Sequence, residues 1–117
     1  MAAPVRIQRS RAKGSRLNAP NQLPIVCVSR PSLWGNPFSD VLATAKPSRK
    51  AALRAESVLR FRRALLQGDG SLPFTIEQVR RDLRGKNLAC WCPLDQPCHA
   101  DVLLQVANAV HRLRRHG

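Results

Sequence analysis

The sequence predicts an α/β fold: a small single domain with a short, mostly parallel sheet flanked by helices and a basic N-terminal arm. Three observations predict it. Two continuous apolar runs, "IVCVS" and "KNLACWC", read as buried strands. Segments of helical periodicity separate them, and buried strands joined through helices run parallel with a right-handed crossover. The leader carries Pro4, Gly14, Pro20 and Pro24 among scattered cations, which reads as an arm over residues 1–24 ahead of a domain at 25–117.

Each element follows in order. Val5–Arg9 is a candidate short strand within the arm. Ile25–Ser29 is bounded by Pro24 and Pro31, and "RPSLWGNPF" then breaks the strand with two prolines and a glycine. Residues 39–48 read as irregular. From Arg49 to Gln67 the apolar positions Val58, Phe61 and Leu65 share a helical face, flanked by Leu59 and Leu66, and "GDGSLP" ends the helix. Thr75 and Gln78 match a capping box opening a short helix, Ile76–Leu83, which Gly85 can terminate. After "KNLACWC" and a proline-containing loop, Leu103, Val106, Val110 and Leu113 mark an amphipathic helix over Ala100–Leu113.

The chain has 117 residues, one domain by length, and 44% apolar content, enough for a core. A chain of this size buries only about two-thirds of its unfolded surface, so a metal staple would matter. No apolar run reaches the roughly eighteen residues of a membrane span, and no apolar stretch follows the basic N-terminus as in a secretory signal. The expected setting is therefore cytoplasmic and reducing, with no membrane partner. Twenty Lys and Arg against seven Asp and Glu give a net charge of +13. Residues 1–30 hold six cations and no acid. That imbalance points to a polyanionic partner, nucleic acid or a nucleotide, against the blander reading of a merely well-solvated surface.

Chemistry concentrates in "LACWCPLDQPCHADVLL", where Cys90, Cys92, Cys98 and His99 fall within ten positions. Three Cys and one His suit tetrahedral zinc, with the cysteines the firmer ligands. Cys90 and Cys92, two apart on a strand, share a face opposite Trp91. Cys98 and His99 open the last helix, where backbone N–H groups favour a thiolate. A rival reading makes the chain an enzyme acting on a nucleobase or nucleotide through a zinc-bound water or a Cys98 thiolate, with Cys98, His99 and Asp101 as its catalytic residues. The absence of an H-x-E motif and of P-C-x-x-C spacing argues against a zinc deaminase. A third reading leaves these thiols purely structural in an interaction module. A Cys92–Cys98 disulfide is disfavoured by a reducing compartment. Cys27 reads as a small core residue, and His111 and His116 as solvated in an arginine-rich tail.

The loop "RPSLWGNPF" offers Arg30 for a phosphate, Trp34 to stack a base, Gly35 for close backbone approach and Asn36 to read a base edge. Against this stands the reading of Trp34 and Phe38 as plugs of the core. Both unusual segments follow the carboxyl end of a predicted strand, so parallel strands would bring them to one edge and one shared pocket.

"RPSLWGNPF" followed about fifty residues later by "LRGKNLACWCPLDQPCHADVLLQVAN" resembles the family catalogued as Domain of Unknown Function 4326, of bacteriophage and bacterial genomes. The likeness spans residues 5–108. Trp34 to Phe38 fit its first motif; Cys90 to Cys92 and Cys98 to Asp101 fit its second. Ser15 stands where an aromatic residue is common, and Cys27 where a plain apolar one is usual. The resemblance implies a compact domain with two functional motifs and supplies no reaction.

Overall fold

The computed structural model describes residues 3–10, 19 and 21–109. The predicted cations Arg11, Lys13 and Arg16, the helix positions Val110 and Leu113, and His111 and His116 lie outside them. The order is β1 (Arg6–Gln8), β2 (Ile25–Cys27), a 3-10 helix (Pro37–Ala43), α1 (Pro47–Gln67), α2 (Ile76–Leu83), β3 (Asn87–Cys90) and α3 (His99–Asn108). It is a small α/β fold, as the periodicities predict.

The sheet has the order β1–β3–β2, and both pairings are parallel. Residues 6–8 thus join the sheet, with Ile7 opposite Ala89, while Val26 lies opposite Leu88 on the other side. β3, flanked on both sides, is buried at every position, which explains its unbroken apolar run. The core gathers Phe61 and Leu65 from α1, Val79 and Leu83 from α2, Leu88 from β3, and Leu103 and Val106 from α3. Leu59 and Leu66 face away from it, 60% and 39% exposed.

The helices end where local chemistry directs. Pro47 opens α1 at a position whose N–H would be unpaired anyway. Gly68 closes it with φ 61°, a left-handed conformation glycine adopts freely, and donates its N–H to the Ala64 carbonyl at 3.1 Å. Thr75 and Gln78 form the capping box: Thr75 Oγ1 accepts from Gln78 N–H at 3.2 Å, and Gln78 Oε1 accepts from Thr75 N–H at 3.1 Å.

Several boundaries differ from expectation; α3, expected over Ala100–Leu113, runs His99–Asn108 with Ala109 extended. The strands are shorter, β2 ending at Cys27 and β3 at Cys90, because neighbouring residues turn out of the sheet to build its carboxyl edge. Part of the segment expected to be irregular is the 3-10 helix. Asn36 caps it, Oδ1 accepting from Phe38 N–H at 2.9 Å, and Pro37 supplies the first helical φ. Far from that edge, buried Asn87 at the start of β3 accepts from Val5 N–H at 2.9 Å and donates to Asn21 Oδ1 at 2.7 Å, pinning the N-terminal segment to the central strand.

Candidate functional site

Three parallel strands deliver three chain segments to one edge. After β1 comes Arg9, after β2 come Ser29 and Arg30, and β3 ends at Cys90 with Trp91 and Cys92 beyond it. The loop 93–97 then brings the chain to Cys98, which caps α3: its Sγ accepts from Ala100 N–H at 3.5 Å. The thiols of Cys90, Cys92 and Cys98 lie within 4.8 Å of one another, a group that can hold a metal ion. Cys90 Sγ and Cys92 Sγ are 3.8 Å apart. All four cysteines, Cys27 included, are free thiols.

The thiols share protons unequally. Hydrogen bonds from Cys92 and then Cys98 hold Cys90 far below the ordinary thiol range, against the opposing effect of burial. Donation to Cys90 pushes Cys92 up, and the same donation pushes Cys98 well above that range. The cluster therefore carries negative charge most readily at Cys90.

His99, at the first turn of α3, is buried and packs edge-on against Phe61, with ring centroids 5.2 Å apart. Its Nε2 lies 2.8 Å from the Val28 carbonyl. A carbonyl only accepts, so Nε2 carries a proton, and in the neutral ring Nδ1 keeps its lone pair. That Nδ1 lies 3.7 Å from Cys98 Sγ. Adjacent residues at a helix start, Cys98 and His99, thus both turn inward.

A cavity of about 200 Å³ opens beside the cluster, lined by all three thiols and by Ser29, Arg30, Asn36, Arg54 and Ser57. The loop after β2 and the cysteine segment do meet at one pocket. Arg54 and Ser57 come from α1, and the sequence reading missed both. The available signal was a cation on an apolar face: Arg54 precedes Val58, Phe61 and Leu65 at helical spacing. Arg54 donates to Gln96 Oε1 at 3.4 Å, across to the cysteine loop. Arg9 was also missed as a site residue; its guanidinium lies 4.3 Å over the Trp91 ring and donates to Ser29 Oγ at 2.9 Å.

Both sequence motifs fall inside one further span. The family model described as Domain of unknown function (DUF4326) matches residues 7–109. The chain belongs to the DUF4326 family. No curated protein and no solved structure matches it.

Not every residue of the DUF4326 motifs serves the cavity as expected. Trp34, expected as an aromatic wall, is 8% exposed and packs on Phe74, ring centroids 4.8 Å apart. It does not line the cavity, and the expectation is corrected: the indole fills the core. Gly35 provides close approach, but to the chain itself; a Cβ there would lie 2.5 Å from Arg30 Cγ, so this glycine seats the Arg30 side chain. Asn36 is buried and lines the cavity, yet its Oδ1 caps the 3-10 helix and its Nδ2 lies 3.5 Å from Ser57 O and Oγ. Asp101 turns away from the cavity and pairs with Arg6 at 3.3 Å. Arg6, just outside the matched span, donates from Nη2 to the carbonyls of Pro93, Leu94 and Gln96 at 3.1, 2.8 and 2.9 Å, clamping the loop between Cys92 and Cys98.

Proposed function

We propose that the chain is a small zinc-supported domain that binds nucleic acid or a nucleotide. The closeness of the Cys90, Cys92 and Cys98 thiols carries the reading, with His99 as the fourth ligand proposed. Tetrahedral zinc, with Zn–S of about 2.3 Å and Zn–N of about 2.0–2.1 Å, sets ligand edges of about 3.8 Å for S···S and about 3.6 Å for S···N. Cys90 and Cys92 stand 3.8 Å apart, and Cys98 Sγ and His99 Nδ1 3.7 Å. His99 also has the tautomer a ligand needs, its second nitrogen engaged by a backbone carbonyl as in many zinc sites. Cys90, Cys92, Cys98 and His99 then form a closed, structural set, and free thiols suit a reducing cytoplasmic compartment.

The ligand half is supported by the charge of +13 and by Arg30 and Arg54 beside the cluster. The enzyme reading has less support. Cys98 is 1% exposed and its thiol is raised by donation to Cys90, the reverse of an activated nucleophile.

Metal analysis of protein purified under reducing conditions tests the reading. About one zinc per chain is expected. Cys90→Ser and Cys92→Ser should each weaken zinc binding by more than about 100-fold and lower Tm. Metal-free protein whose Tm is indifferent to chelation would overturn it.

A further inference from the structure

We propose that the cavity beside the cysteines is a receptor for a phosphate monoester, the terminal phosphate of a mononucleotide or of a nucleic-acid strand. The proposal rests on the nucleotide or nucleic-acid half of the function above and names which part of that ligand enters.

Size comes first. The cavity holds about 200 Å³. Sites that enclose a whole small molecule run from about 300 Å³ upward. A complete nucleotide does not fit, and without Trp34 the cavity also lacks the aromatic wall expected for a base. A phosphate with the adjoining edge of its sugar is the fragment that remains.

The donors match that fragment. Arg30 comes from the loop after β2 and Arg54 from α1, so two arginines line the cavity from separate elements. Guanidinium forks are the strongest phosphate donors a protein has. Ser29 Oγ accepts from Arg9, which leaves its own O–H to donate. Ser39 and Ser57 also line the cavity, but their hydroxyls donate to the carbonyls of Asn36 and Arg54, at 2.9 and 3.0 Å. None of the described lining residues is acidic. One opposing charge must be counted. Zinc with three thiolates and a neutral imidazole carries a net charge of about −1. Arg30 and Arg54 line the same cavity, with Arg9 behind Ser29.

An end group fits better than an internal phosphodiester. The cavity's volume of about 200 Å³ admits the end of a strand more readily than a strand running through it. A terminal monoester also carries nearly two charges at neutral pH, against one for a diester.

Calorimetry on the zinc-loaded full chain at about 150 mM salt tests this with matched probes. One pair is adenosine and adenosine 5′-monophosphate. The other set is octathymidylate with hydroxyl ends against its 5′- and 3′-phosphorylated twins. In at least one comparison the phosphorylated member should bind about tenfold tighter or more. The comparison that responds tells a free nucleotide from a strand end. Arg30→Gln and Arg54→Gln should each cut that preference to about twofold while zinc content and Tm stay unchanged. Should Arg54→Gln fail to fold, Arg54→Lys keeps the charge without the fork and should retain only part of the preference. Phosphorylated and unphosphorylated probes binding within twofold in every comparison would overturn the proposal, leaving general nucleic-acid binding intact. No binding of any probe would overturn both, while zinc content, measured separately, would still decide the metal.

Discussion

Hydrogen bonding within the cluster pushes Cys92 and Cys98 up and Cys90 down. Zinc binds thiolates, so it must displace the protons held at the raised Cys92 and Cys98, while the lowered Cys90 gives up its own more readily. Lowering the pH refills Cys92 and Cys98 and opposes the metal. Zinc affinity should therefore fall as pH falls through the neutral range, by up to about 100-fold per unit if both protons leave together. Titrations in buffers of different ionisation enthalpy should count about two protons released per zinc at pH 7. Release of fewer than one would mean that only a single thiol joins the metal. The sequence made this cluster legible because its residues are adjacent in the chain. Trp34 was misread for the opposite reason. Nothing local tells a plug from a platform, and what decides is Phe74, forty positions away in sequence.

The elements were legible wherever their signals were local. Thr75 and Gln78 predicted α2 because a capping box is contained in four residues. β3 stood out because a strand paired on both sides must be apolar throughout. β1 is three residues long, and its function depends on partners almost ninety positions away. Arg6 on that strand has 7% side-chain exposure and bonds three carbonyls of the loop between Cys92 and Cys98, besides Asp101 on α3. Removing it leaves those carbonyls without their charged donor. Arg6→Ala should cost about 3 kcal/mol, given about 1.5–3 kcal/mol for bonds to a charged group and incomplete additivity. Tm should drop by roughly 10–20 °C, and zinc should bind about tenfold more weakly as the loop loosens. Arg6→Lys keeps a cation near Asp101 but cannot fork across three acceptors, and should recover less than half of the loss. Wild-type zinc affinity in Arg6→Ala would show that the cysteine loop holds its shape unaided.

At the scale of the whole molecule the dominant fact is charge, +13 on 117 residues. No helix among the described residues is long and apolar enough to cross a membrane. A polyanion recruited by such a surface releases its condensed counterions, so binding must weaken with salt. The basic leader tests this only if the fold survives the test. Deleting it wholesale would remove β1, with Arg6 on the cysteine loop and Arg9 on Trp91, and any lost binding could be lost folding. Arg11, Lys13 and Arg16 follow β1 in sequence, and exchanging all three for Gln removes charge while leaving the strand's own residues intact. For duplex DNA each phosphate contact contributes about 0.9 to the slope of log K against log salt. The triple variant should therefore shallow that slope by up to about 2.7, with Tm and zinc content unchanged. The preference for a phosphorylated end, which belongs to Arg30 and Arg54, should survive, since ratios between matched probes cancel a uniform electrostatic loss. An unchanged slope would place the polyanion contacts elsewhere. Of the remaining cations, Arg49, Lys50, Arg60, Arg62 and Arg63 on α1 would then be the ones to exchange next.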